Sequence, residues 1–199
     1  MMNKSILLMG TLLVSTFVEI AAQKNSENPN IIFVLADDMG IGDLGCYGQK
    51  KIKTPNIDKL AEKGVLFTNH YSGSTVSAPS RCSLLTGKHT GHAYIRGNKG
   101  IKSEEGFFDL HLPSDEVTVA EILKRKGYAT MCVGKWGLGG PHTTGSPVRK
   151  GFDYFFGYLS QGAAHRYYPE YLYENEDKVM LNKKVYSHFL IMETRDKYR

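Results

Sequence analysis

Cysteine is scarce and tryptophan nearly absent, with three and one respectively in 199 residues. Cys46, Cys82 and Cys132 cannot all pair within one chain, which excludes a disulfide framework, and their spacing matches no zinc pattern. Cys132, inside the apolar run "YATMCVG", reads as a small core residue. Cys82 stays open, because Arg81 stands next to it. An excess of one charge is also lacking. Lys and Arg number 25 against 20 Asp and Glu, a formal net charge of +5. The basic residues are scattered among acids, whereas a nucleic-acid binder needs them on one stripe, so that class is set aside. Attraction to an anionic substrate is compatible with the balance. No internal repeat, low-complexity segment or clear second-domain boundary interrupts the chain. What is present, 41% hydrophobic and 23% charged residues, suits a globular domain able to bury a core.

The one long apolar run stands at the start. "MMNKSILLMGTLLVSTFVEIAAQ" has Lys4 in a short charged head, apolar residues from Ile6 to Val18, and small Ala21 and Ala22 before the polar "QKNSENPN". The run is short for a membrane span of ~20 residues. It reads as a secretory signal peptide over residues 1–22, cleaved after Ala22. The expectation is an exported protein, periplasmic or extracellular, whose mature part is residues 23–199.

Beyond the leader, strand and helix signals alternate. "NIIFVLADD" is a continuous apolar run ending in two acids, the pattern of a strand buried on both faces. "TPNIDKLAEKG" predicts a helix with Thr54 as N-cap, Pro55 at the first position, an apolar face of Ile57, Leu60 and Ala61, and Gly64 as the stop. "VLFTNHY" predicts a second strand. "SAPSRCSLLTGK" predicts a helix stopped by Gly87. "VTVAEILKRKGY" predicts another, with Val119, Ile122 and Leu123 on one face and Gly127 as the stop. "ATMCVGKWGLGG" reads as a strand running into a glycine-rich turn, and "GFDYFFGYL" as a strand or a packing loop. After Tyr173 the chain is charged and weakly patterned. This order predicts a layered α/β fold with a mostly parallel sheet.

In such folds ligands gather outside the carboxyl ends of strands. Asp37 and Asp38 close the first strand, Ser77 follows the second by a loop, and Lys135 closes the strand "ATMCVGK". Their convergence would set two carboxylates, a hydroxyl and a cation on one rim. Two adjacent carboxylates at a strand end suit a hard divalent cation such as Ca²⁺ or Mg²⁺, or else cap the next turn. Ser77 is either an N-cap or a nucleophile at a helix mouth that favours negative charge. Arg81, four residues on, shares its face and can hold an oxyanion or orient the serine oxygen.

"SAPSRCSLLTG" resembles the signature of the type I sulfatases, a Cys or Ser, any residue, then Pro, Ser, Arg and a downstream "LLTG". "PNIIFVLADDMG", "TPNIDKLAEKGVLFTNHY" and "GKWGLGG" follow the same family's order. The resemblance implies an alkaline-phosphatase-like α/β fold and hydrolysis of sulfate esters. It implies that Ser77 is oxidised to formylglycine by a maturase, the serine resembling the bacterial subtype served by a radical enzyme of the anaerobic type. One hydroxyl of the hydrated aldehyde attacks sulfur and expels the alcohol. The other then allows the aldehyde to reform and sulfate to leave, a step closed to plain serine. The resemblance further implies a cation, usually Ca²⁺, held partly by Asp37, Asp38 and position 77. It gives Arg81 the role of steadying the hydrate and Lys135 that of contacting sulfate oxygens. The substrate it implies is a sulfated small molecule or glycan, and related enzymes of the same design act on phosphate or phosphonate monoesters.

Two departures stand out. Many members read Lys-Trp-His where this chain has Lys135, Trp136 and Gly137, which leaves His165 as the candidate to protonate the leaving group, or as a plain loop histidine. His89, His92, Arg96 and Asn98 either line the substrate pocket or belong to a solvated loop. Family members are also much longer, and nothing between Gly162 and Arg199 resembles the Asp-Asn pair that completes their ion site. The expectation is a C-terminally truncated member, either a working hydrolase or an inactive remnant, with an incomplete ion site, an unpaired sheet edge and exposed apolar surface.

Overall fold

A computed structural model of the chain describes residues 28–103 and 106–182. The signal-peptide expectation for residues 1–22 lies outside the described residues, as does the tail from residue 183. The chain divides into two compact units, residues 1–66 and 67–199, where the sequence shows no clear boundary.

In the first unit, helix α1 spans Pro55–Lys63 with Thr54 as N-cap and Gly64 as C-cap. The Thr54 hydroxyl does not cap in the ordinary way. It donates to Asp58 Oδ1 at 3.0 Å and accepts from Gly45 N at 2.8 Å. Asp58 Oδ1 also accepts from Cys46 N at 2.7 Å. Two short 3-10 turns, Ile41–Asp43 and Gly45–Tyr47, precede the helix, and these bonds tie the second of them to α1. The apolar face is exposed, Ile57 and Leu60 included. "NIIFVLADD" forms no strand, and Ile31 to Leu35 are exposed along its length. "VLFTNHY" is not a strand either. A strand buried on both faces needs a hydrogen-bonded neighbour on each edge, and neither run joins a ladder among the described residues.

In the second unit, α2 spans Ser77–Thr86 and α3 spans Val119–Arg125. The α2 helix ends where Gly87 takes a left-handed φ of 68° and its N–H reaches the Ser83 carbonyl at 2.9 Å. Helix α3 is held by a capping box. Glu121 N donates to Thr118 Oγ1 at 3.3 Å, and Thr118 N donates to Glu121 Oε2 at 2.8 Å. Strands β1 (Gly100–Ser103) and β2 (Gly106–Asp109) form an antiparallel hairpin. A four-stranded sheet follows in chain order: β3 (Met131–Lys135), β4 (Tyr154–Tyr158), β5 (Tyr171–Glu174) and β6 (Asp177–Met180). The β3–β4 pair is parallel and the other two are antiparallel. The sheet is therefore mixed, because β5 and β6 join it through antiparallel pairs. A short helix, α4 (Gln161–Ala164), follows β4.

The core sits between this sheet and α2. Ala78 and Cys82 from the helix pack with Trp136, Leu138, Phe155, Leu159 and Tyr173. Trp136 fixes the glycine-rich turn after β3. Its Nε1–H donates to the Gly145 carbonyl at 2.8 Å, and its ring meets Phe152 edge-on at 5.8 Å. The backbone of that turn continues the sheet, with Trp136 N on Tyr158 O at 2.9 Å and Gly137 N on Leu159 O at 3.0 Å.

Candidate functional site

Helix α2 begins at Ser77 itself, so Ser77 is its first residue and not its cap. The residue before it, Val76, has an extended backbone and no side-chain cap bond. Because Ser77 is not consumed in capping, its oxygen is available to another donor, and Arg81 supplies one. Arg81 Nε donates to Ser77 Oγ at 2.9 Å, across one helical turn as the four-residue spacing requires. The same guanidinium reaches the sheet, where Nη1 donates to the Lys135 carbonyl at 2.5 Å. One planar cation thus joins the mouth of α2 to the carboxyl end of β3, using the fixed fork of donors that arginine carries. Both Ser77 and Arg81 are half-buried, so the bonds are screened less than at an open surface.

Two thiols, the buried Cys82 and the half-buried Cys132, flank this cluster without chemistry of their own. Burial pushes the Cys132 thiol up to about 11, against a smaller downward pull from Arg81. Burial also raises Cys82, which lies in the core. Both stay protonated at neutral pH, and a protonated thiol is a poor nucleophile. That settles Cys82 as a core residue, and all three cysteines are free.

The remaining candidates fall into place as follows. Lys135 ends β3 and is half-buried. His165 caps the carboxyl end of α4 and is exposed. His89, His92 and Arg96 are exposed. His89 Nδ1 accepts from Gly91 N at 3.1 Å and Arg96 Nε donates to Ala93 O at 3.2 Å, so this loop folds on itself. Asn98 is the member of that group that reaches α2: its Oδ1 accepts from Ala78 N at 3.1 Å. Residues the sequence did not single out are Gln161, beside Asn98, and Glu176, at the tip of the β5–β6 hairpin. Glu176 clamps the loop after β3, accepting from His142 N at 2.9 Å and approaching Arg149 Nε at 3.4 Å. Burial pushes the Glu176 carboxyl up, but the nearby Ser146 hydroxyl, the hydrogen bonds from His142 and the charge of Arg149 outweigh it and leave it below its ordinary range.

Asp37 and Asp38 belong to the first unit and are exposed. Asp38 has φ of 57°, uncommon for a residue other than glycine, so the backbone turns at the doublet and releases the two carboxylates from strand alternation. The 3-10 turn that follows is closed by Asp43, whose Oδ2 accepts from Gly40 N at 2.8 Å. Carboxylate oxygens are the right donors for a hard divalent cation, which takes six to eight of them. Among the described residues, however, no group of three or more His, Cys, Asp or Glu side chains could hold a metal ion. The donor chemistry fits an ion and the donor number does not complete one.

Comparison with known proteins gives a consistent answer. The family model described as Sulfatase matches residues 29–196. The N-acetylgalactosamine-6-O-sulfatase of Bacteroides thetaiotaomicron is 48% identical over 142 residues, covering 67% of this chain and 27% of that protein. A solved Bacteroides thetaiotaomicron protein, from a core genetic locus for metabolism of multiple glycosaminoglycans, superposes with a TM-score of 0.65 at 42% identity. It covers 79% of this chain and 33% of its own. A second solved structure, in complex with its substrate D-glucosamine-2-N,6-O-disulfate, gives a TM-score of 0.59 at 30% identity, covering 86% of this chain and 31% of its own. The fold shared with these neighbours is the alkaline-phosphatase-like α/β arrangement. The chain spans about a quarter of the length of the curated relatives it matches.

Proposed function

From the premise that this chain belongs to the sulfatase family, we propose that it hydrolyses sulfate esters, with position 77 as the reacting residue. The observation that supports this most is the Arg81 guanidinium, bonded at once to Ser77 Oγ and to the Lys135 carbonyl. An oxygen at position 77 is held by a charged donor at a helix mouth, where negative charge is favoured. Arg81 orients that oxygen, withdraws electron density from it and gives the half-buried hydroxyl a partner. Lys135 contributes its backbone to this support, and its ammonium is proposed to face the sulfate oxygens.

Oxidation of Ser77 to formylglycine supplies, on hydration, two hydroxyls on one carbon, one for attack and one for release of sulfate. A half-buried oxygen with a cationic donor fits such a group. Asp37 and Asp38 are proposed to hold part of a Ca²⁺ or Mg²⁺ ion, which would lower the charge on the sulfate. The described residues alone supply too few ligands to complete its coordination shell. His165 is proposed as the leaving-group acid.

The substrate class proposed is a sulfated glycan or small molecule, supported by the sulfated sugar bound to one structural neighbour. Export is proposed from the leader sequence, and with it a maturase that acts on Ser77. The test couples two measurements on protein made anaerobically with a maturase: the mass of the peptide containing Ser77, and turnover of an aryl sulfate against an aryl phosphate. Loss of two hydrogens from that peptide with faster sulfate cleavage is expected. Faster phosphate cleavage, or no sulfate cleavage from the modified protein, would retire the proposal.

A further inference from the structure

Position 137 has no room for a side chain while Gln161 stands where it does. Gly137 has φ of 74°, and a Cβ built there would lie 2.5 Å from Gln161 Cγ and 3.0 Å from its Cδ. The space beside the β3 turn is thus taken by a residue from the start of α4. Gln161 is buried, and its Nε2 stands 3.5 Å from Asn98 Oδ1. The same oxygen accepts from Ala78 N at 3.1 Å. Helix α2 has need of such an acceptor. Val76 offers no polar side chain at its N-cap, Pro79 has no N–H, and Ser80 N is already on the Val76 carbonyl at 3.2 Å. Ala78 therefore carries a donor that the helix cannot satisfy from within.

We propose that Asn98 is the remote cap of the helix bearing Ser77, and that Gln161, lodged where a side chain at position 137 would be, turns the Asn98 oxygen toward Ala78. A carboxamide has an acceptor end and a donor end. Two donors, one from Ala78 and one from Gln161, select the orientation in which the oxygen faces the helix. Asn98 and Gln161 are then positioning residues for position 77, because the first turn of α2 sets where Ser77 Oγ stands against Arg81 Nε. The catalytic consequence rests on the sulfatase reading of Ser77; the cap itself does not.

The test is amide hydrogen exchange on the full chain, followed by mass spectrometry of the peptide spanning residues 77–86, in Asn98→Ala, Asn98→Asp and Gln161→Ala. Asn98→Ala is expected to speed exchange at the start of α2 about fivefold, the factor that loss of an ordinary cap gives, with the β3–β4 peptides unchanged. Asn98→Asp keeps an acceptor at a helix N-terminus and is expected to retain protection. Gln161→Ala should fall between the two. In matured protein, kcat on an aryl sulfate should drop with Asn98→Ala at unchanged KM and recover with Asn98→Asp. Parental exchange in Asn98→Ala, or equal loss in Asn98→Ala and Asn98→Asp, overturns the proposal. If the exchange pattern holds while the matured parent turns over no sulfate ester, the cap stands and the sulfatase reading falls.

Discussion

Arg81 carries two hydrogen bonds whose partners lie on different elements, the Ser77 hydroxyl and the Lys135 carbonyl. A lysine at this position keeps the charge but offers a single compact donor group, so it cannot reproduce a fork. In matured protein, Arg81→Lys should lower kcat on an aryl sulfate about a hundredfold, in line with loss of a donor aimed at developing charge. The thermal transition should stay cooperative. Steady-state kinetics beside a melt would check this, and unchanged kcat would remove Arg81 from the site. This pair was readable beforehand, because residues four apart in a helix face the same way. Asn98 and Gln161 were not, since they meet α2 only through the tertiary fold. The available hint was Val76, an apolar residue where a capping side chain is ordinarily found.

Elements are joined by equally specific contacts. Asp153, just before β4, accepts from Lys124 Nζ of α3 at 2.6 Å and from Thr130 N and Oγ1 at 2.9 and 3.0 Å. The Lys124 contact, then the Thr130 bonds, hold its carboxyl down to about 2. The folded value lies below the unfolded value of about 3.9. The stabilisation is therefore fully present above that unfolded value and is lost as pH falls from about 4 through about 2. Asp153→Asn should make the urea midpoint less dependent on pH in that window. Equal acid slopes in the two proteins would refute the linkage. Helix α1 was legible in Thr54, Pro55 and its glycine stop, α2 and α3 in their glycine stops and β3 in its apolar run, whereas the four-residue α4 had no signal. The β5–β6 hairpin was hidden in a charged stretch. Its signal was Asn175, which takes the left-handed φ of 56° that a two-residue hairpin turn asks of its first position.

At the scale of the whole molecule, the unexpected feature is the run from Ile31 to Leu35. Its composition is that of a central strand, yet it makes no ladder among the described residues, and Ile32 and Val34 are 88% and 86% exposed. The pattern was legible and its outcome was not, because a strand is a relation between segments and the pairing partner cannot be read from the run itself. An extended, unpaired apolar segment is a template for pairing with another chain, and five consecutive exposed apolar residues without a charge have the composition of an aggregation-prone window. Replacing Ile32 and Val34 together by lysine should therefore raise the concentration at which the protein stays monomeric and reduce binding of an apolar dye. The folding stability should change by no more than about 0.5 kcal/mol, as for surface substitutions. Light scattering, dye fluorescence and a thermal melt on the same samples test this. A strong loss of stability in the double variant would mean that the run is buried in the folded protein after all, as the sequence alone suggests.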